Sequence, residues 1–224
     1  MTPYTLTHSN RKTISIQVCD GFITVRAPFL CPQSEIDRFI LAKNDWIQDK
    51  LEKSRQQMAQ RESFALNYGD KVILRGKLYP ITEYKGTLAG FDGECFYLPP
   101  NFNSNQIKTT CIKIYRKIAK AHLANRSSHY AAQMNLAPVS IKINSAKTRW
   151  GSCSSQKNIN FSWRLIMADD DVIDYVVVHE LAHLVHMDHS GRFWKVVENV
   201  VPDYRERNKR LKDLQKRLAV QDWG

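Results

Sequence analysis

Cysteine is sparse and scattered. The five cysteines, Cys19, Cys31, Cys95, Cys111 and Cys153, are odd in number and form no Cys-x-x-Cys pair. That excludes a small disulfide-stapled scaffold and matches the usage of a reducing compartment. No apolar run approaches the about 18 residues that a membrane span needs. The N-terminal Met1-Thr2-Pro3-Tyr4-Thr5 has no basic region followed by an apolar one, so no secretory signal is expected. A cytoplasmic protein without membrane attachment follows as the expectation. Repeats and low-complexity segments are also lacking. The other shortage is acid: 22 Asp and Glu face 33 Lys and Arg, a formal net charge of +11. Such an excess attracts anions, nucleic acid among them, but names no partner.

What is present suffices for a core. Hydrophobic residues fill 43% of 224 positions, compatible with one large domain or two small ones. Thr13–Val18 and Phe22–Val25 alternate around Asp20-Gly21, which predicts a hairpin. Ser34 is placed as the cap of a helix from Glu35 to about Met58, with Ile36, Phe39, Ile40, Trp46, Ile47 and Leu51 as its buried stripe. Val72–Leu74, Leu78–Ile81 and Cys95–Leu98 predict a small antiparallel sheet, turned at Arg75-Gly76, Gly90 and Asp92-Gly93. Ser104 would cap a long helix through Gln133, with Ile107, Ile112, Ile114, Tyr115, Ile118 and Ala121 inward. Its His122 and His129 receive no ligand role.

Beyond Pro138, Val139–Ile143 reads as a strand, and Thr148–Ser152 with Asn158–Trp163 as a hairpin. Asp169, Asp170 and Asp171 suit the positive end of the next helix as caps. Gly191–Val200 predicts a short helix with Phe193, Trp194 and Val197 inward. Pro202 suits the first turn of a last helix running to about Leu218. That helix is dense in Arg205, Arg207, Lys209, Arg210, Lys212, Lys216 and Arg217, which fits either a solvated face or an anion-binding surface. The class is α+β: an N-terminal antiparallel β portion with one long helix over residues 1–100, then a mixed unit over 101–224. The seam at Pro99-Pro100-Asn101 need not separate folding units.

The strongest signal is His179-Glu180-Leu181-Ala182-His183. Positions four apart share one helix face, so His179 and His183 can aim two imidazoles at one cation. Glu180 lies about 100° round the helix, placed to hold water beside that cation without being a ligand. Apolar neighbours, Tyr175 to Val178 with Leu181, Ala182, Leu184 and Val185, predict a buried helix. A buried Glu180 is costly unless a cation compensates it, which argues against two incidental surface histidines. Imidazoles favour zinc, with manganese or nickel as other candidates, over magnesium.

A catalytic zinc commonly takes three protein ligands. His186 is about 10 Å along the axis from His179, too far for bonds of about 2 Å. His189 follows Met187-Asp188, and an Asp188 in the left-handed conformation would swing it back toward the first pair. Glu198 is the alternative, as a carboxylate from the next helix. His189 is preferred.

These residues, with Asp188-His189-Ser190 and Phe193-Trp194, resemble the YgjP-like branch of zinc metallopeptidases, related in motif to SprT-like and WLM proteases. Thr148-Arg149-Trp150-Gly151-Ser152-Cys153-Ser154-Ser155, Asn158-Ile159-Asn160-Phe161 and Pro202-Asp203-Tyr204-Arg205-Glu206-Arg207 fit the same family. The resemblance is strong over the last ninety or so residues and weak over the first half. It implies a zincin-like unit in which His179, His183 and His189 bind metal and Glu180 is the catalytic base. His186 stands where metzincins carry glycine.

The expected chemistry is hydrolysis by metal-activated water, with a peptide or protein as substrate and Arg149 or Tyr204 stabilising the oxyanion. If the Arg149–Cys153 run is an exposed edge, an extended peptide would add to it as a strand. A second reading is a phosphohydrolase acting on nucleotides, held by zinc, Arg149 and the last helix. A third is a nucleic-acid-binding module braced by a closed structural zinc, with His186 or Cys153 as fourth ligand.

Overall fold

The computed structural model describes residues 3–224. The chain divides into two compact units. Met1–Phe64 with Leu218–Asp222 and Gly224 form one, and Ala65–Arg217 with Trp223 form the other. The seam expected at Pro99-Pro100-Asn101 falls inside the second unit.

In the first unit, β1 (Thr5–Ser9), β2 (Ser15–Cys19) and β3 (Phe22–Pro28) pair in the order β1-β3-β2. The expected hairpin is there: Asp20 and Gly21 both take positive φ, 48° and 78°, which the tight turn between twisted strands requires. The portion is not wholly antiparallel, however, because β1 runs parallel to β3. Alternation marks which face of a strand is buried and says nothing of its neighbour's direction. The expected single helix is two, α1 (Gln33–Ala42) and α2 (Asn44–Glu62), broken at Lys43. Asn44 and Asp45 begin the second helix, residue types whose side chains compete with continuous helical backbone. Pro32, not Ser34, is the first N-cap; its carbonyl accepts from the amides of Glu35 and Ile36. Ile36, Ile40, Ile47 and Leu51 do pack with Ile23, Val25 and Ala27. Trp46 does not join them and is 43% exposed, and Phe39 is half-buried.

The second unit opens with β4 (Lys71–Leu74), β5 (Lys77–Glu83), β6 (Gly90–Phe91) and β7 (Phe96–Leu98), ordered β4-β5-β7-β6. This sheet too is mixed, since β5 and β7 are parallel. α3 (Ser104–Gln133) is capped by Asn103 and not Ser104: the Asn103 side chain accepts from the amide of Gln106, whose side chain accepts from the Asn103 amide. Its buried line is Ile107, Cys111, Ile114, Tyr115, Ala119, Leu123, Ser127 and Ala131. Ile112 and Ile118 are half-buried and Ala121 is exposed.

β8 (Ser140–Asn144), β9 (Gly151–Cys153) and β10 (Asn158–Ser162) form the third sheet, ordered β8-β10-β9. β9 and β10 are the expected antiparallel hairpin, and β9 is an edge. A fully buried 3-10 turn, Trp163–Met167, leads to α4 (Asp170–Ala182). Val177, Val178, Leu181 and Ala182 are all at 0% exposure. Burying a valine or leucine fully contributes about 1.5–3 kcal/mol, so α4 is a fixed post. α5 (Gly191–Val200) follows, with Phe193 and Val197 buried and Trp194 half-buried. α6 (Tyr204–Leu218) starts two residues after Pro202, outside the first turn expected for it, with the Asp203 carbonyl accepting from Glu206 and Arg207.

The three aspartates at the head of α4 serve as ion-pair partners and not as the expected caps. Asp169 is the N-cap yet makes no side-chain capping bond. Arg210 of α6 pairs with Asp169 at 2.6 Å and Asp171 at 2.5 Å, while Arg75 from the β4–β5 turn grips Asp170 at 2.6 and 2.5 Å. One turn on, Arg126 of α3 forks onto Asp174 at 2.6 and 2.8 Å, joined by the Tyr130 hydroxyl at 3.0 Å. Part of the basic charge of α6 is therefore spent inside the unit. Among the described residues, no helix is long and apolar enough to cross a membrane.

Candidate metal centre

α4 is apolar nearly all round because it is buried nearly all round, and its last turn delivers His179 and Glu180 from that fixed post. His183 is the C-cap residue, one turn beyond His179. The chain then tightens through Leu184, Val185 and His186 and returns His189 to the pair. No left-handed residue makes this reversal: Asp188 is not among the residues of positive φ.

The result is a convergence of three rings. One ligand atom from each of His179, His183 and His189 lies within 4.8 Å of the others. Nε2 of His189 is 3.2 Å from Nε2 of His179. Two imidazole nitrogens sharing a tetrahedral zinc at about 2.0–2.1 Å would stand about 3.3 Å apart. His183 Nδ1 donates to the carbonyl of His186 at 3.1 Å. A carbonyl can only accept, so Nδ1 carries the proton and Nε2 keeps its lone pair. His186 thus serves through its backbone, and neither it nor Cys153 nor Glu198 is in the three-residue cluster. Glu198 lies on the exposed side of α5.

Phe193 is the floor. Its ring, at 0% exposure, sits 4.9, 4.6 and 4.8 Å from the rings of His179, His183 and His189. Trp194 stacks on His189 at 5.8 Å and on Tyr204 at 5.1 Å. The sequence pattern places Phe193 inward but does not show that it contacts all three imidazoles.

Glu180 is 5% exposed, and its Oε2 has no hydrogen-bond partner among the described residues. Burial pushes its carboxyl up to about 8, against a downward pull from Arg149. Burial, then the neighbouring His183 and His189, drives His179 down to about 3. His183 is lowered as well, chiefly by burial. Neutral imidazoles with free lone pairs are the form a cation needs. An orphaned buried carboxylate oxygen is the kind of unmet polar group that a cation and its water resolve. The donor set suits zinc and its transition-metal neighbours; oxygen-seeking magnesium and calcium would be poorly served.

Edge strand β9 meets α4 at this point, and Gly151 faces the Glu180 side chain with no room for a Cβ between them. That close approach was not visible beforehand, although the glycine inside a strand-like run was a signal of it. Arg149, two residues earlier, is exposed and acts on Glu180 through charge. Tyr204 is buried; its ring stacks on Tyr175 at 6.4 Å and its hydroxyl accepts from Arg205 Nε at 3.2 Å. It reaches the histidines by way of Tyr175 and Trp194.

Over residues 12–214 the chain matches the family described as YgjP-like, metallopeptidase domain. No curated protein matches it. Among the solved structures that resemble part of it are two metallopeptidase zymogens. One is the metallopeptidase zymogen abylysin of Pyrococcus abyssi, 23% identical with a TM-score of 0.37, covering 40% of this chain and 90% of that one. The other is the metallopeptidase zymogen jannalysin of Methanocaldococcus jannaschii, 21% identical with a TM-score of 0.37, covering 42% and 95%.

Proposed function

This chain belongs to the YgjP-like metallopeptidase family, and on that premise we propose that it cleaves peptide bonds with His179, His183 and His189 holding one zinc ion and Glu180 as general base. The carrying observation is the convergence of three imidazoles beside a carboxyl group that is 5% exposed. When bound, zinc supplies Lewis acidity, bringing the pKa of water to about 7 and drawing charge from a scissile carbonyl.

The chain's own groups do the rest. Glu180 accepts a proton from the attacking water on Oε2, the oxygen otherwise left without a partner, and delivers it to the leaving amine. Its burial raises its affinity for a proton, and a cation held by the three histidines would keep it ionised until the water's proton arrives. The His183–His186 contact fixes one imidazole in its binding tautomer. Arg149, exposed at the head of β9, is the donor proposed for the developing oxyanion; Tyr204 backs the aromatic wall. The free edge of β9 receives an extended substrate by strand addition, with its backbone beside Glu180.

The test is Glu180→Gln. Bound zinc remains and hydrolysis of a peptide panel falls at least about a hundredfold. Unchanged turnover removes Glu180 from the mechanism, and loss of zinc makes it a ligand. His189→Ala empties the site and Glu198→Ala does not; the reverse pair of results overturns the ligand set. A metal-free preparation reloaded with zinc, manganese or nickel identifies the ion that supports turnover.

A further inference from the structure

α3 carries Lys108, Lys113, Arg116, Lys117, Lys120 and Arg126, and not one carboxylate in its 30 residues. Arg126 is taken by Asp174. Lys113, Arg116, Lys117 and Lys120 recur at spacings of three and four, so they share one helix face, turned away from buried Cys111, Tyr115 and Ala119. All four are exposed. Arg116 donates to the Ser145 hydroxyl, and the three lysines have no carboxylate partner among the described residues. Lys113 with Lys117, and Arg116 with Lys120, set like charges four apart, where a merely solvated helix gains by alternating signs. The ridge repels itself and is complementary to a row of negative charges.

Two depressions continue this ridge. Toward the helix start, Phe102, Gln106, Thr109, Thr110 and Lys113 line a shallow one of ≈ 300 Å³. Toward its middle, a cleft of ≈ 690 Å³ opens between α3 and the β6–β7 edge. Phe91 and Tyr97 form one wall of the cleft, Ile118 lies on the other, and Lys117, His122, Asn125 and Arg126 are among the polar residues that line it. Lys113 and Lys117 are about 6 Å apart along the axis, which joins the two depressions into one track from Gln106 to Asn125, about 28 Å long.

We propose that this face of α3 binds single-stranded nucleic acid, the lysine ridge taking phosphates and the larger cleft taking a base against Tyr97 and Phe91. Charge alone would serve a duplex or an anionic membrane equally well. The cleft decides among them: a duplex keeps its bases stacked within itself, and a membrane surface has no flat group to place there, whereas a single strand offers both phosphates and unstacked bases. Asn125, with an amide donor and acceptor, is placed to meet a base edge. The site is independent of the metal centre and stands whether or not the peptidase reading does.

The test uses the full chain and a fluorescent oligothymidylate of about 16 nucleotides, read by anisotropy over a salt series. Lys113→Ala/Lys117→Ala/Lys120→Ala weakens binding at least about tenfold and flattens the plot of log affinity against log salt by about 2, at about 0.7 per phosphate contact. Lys209→Ala/Lys212→Ala/Lys216→Ala on α6 removes the same charge and changes affinity less than about twofold. An abasic strand of equal length binds several-fold more weakly than the intact one. Equal losses in the two triple variants overturn the proposal, because net charge would then explain the binding. Tighter binding to a duplex, binding only to anionic vesicles, or full affinity for the abasic strand overturns it too.

Discussion

The Glu180 carboxyl group rests on the α-carbon of Gly151: a methyl group added there would stand 2.5 Å from Oε1 and 2.6 Å from Cγ. Gly151→Ala must therefore push Glu180 aside, since β9 is paired to β10 at Phe161 and cannot easily retreat. A displacement of about 1 Å in a reacting group costs on the order of a hundredfold in rate. The expected outcome is a fall in kcat of at least about tenfold with zinc content unchanged, measured by peptide turnover and elemental analysis. Wild-type kcat in the alanine variant would dismiss the contact as incidental.

Phe193 supports three rings at once, so its effect should appear in metal affinity. Phe193→Leu keeps the position apolar but removes the flat surface beneath the imidazoles. Losing an outer contact that orients ligands costs about 10–100-fold in affinity. Competition with a chelator of known strength measures this directly. An unchanged zinc affinity would reduce Phe193 to core packing.

The arginines at the head of α4 make acid stability a readout. Hydrogen bonding to Arg75 holds the Asp170 carboxyl below its ordinary value. A carboxyl lowered in the folded state contributes stability above its unfolded pKa of about 4, and that contribution is lost as pH falls through the lower folded value. Arg75→Ala should flatten this acid limb in urea titrations from about pH 5 downward. The pair is half-exposed, with side chains at 46% and 48%, so at neutral pH the variant loses about 1 kcal/mol or less, and less again in high salt. An acid limb identical to wild type would contradict the pairing.

Cys111 reports on unfolding. It lies at 0% exposure within α3, and burial pushes its thiol up to about 12. Near pH 8 it should resist thiol reagents that label exposed Cys19, and react only as the second unit opens. Because its folded pKa is the higher, the associated stability is complete below the unfolded value of about 9 and is lost as pH rises toward 12. Mass spectrometry of labelled peptides over time checks the order. Rapid labelling of Cys111 in native protein would refute its burial.

Much of the candidate centre was legible because its geometry is local. His179 and His183 are fixed to one face by helical spacing, and His189 is only six residues beyond. Even so, the expected left-handed Asp188 is absent, since successive tightened turns reverse the chain without it. The sheets were less legible. Alternation located β2, β3, β5, β7, β8 and β10 to within a few residues, but β1 with β3, β5 with β7 and β8 with β10 pair in parallel. Parallel pairing is set by long crossovers and by which elements cover the faces, neither of which is written in a strand's own pattern. Arg75 with Asp170 and Arg210 with Asp171 span 95 and 39 residues, so the ends of such ion pairs look in sequence like separate charged turns.

β9 is only three residues long, Gly151–Cys153, about 10 Å of extended backbone. On the strand addition proposed above, a guest chain aligned on so short a rail would be gripped over a handful of atoms, too few to spell out a long recognition word. Choice would then pass from the letters of the guest to its pliability. Any polypeptide able to lie straight for that brief distance would qualify, and tightly knit proteins would be spared until some stretch of them comes loose.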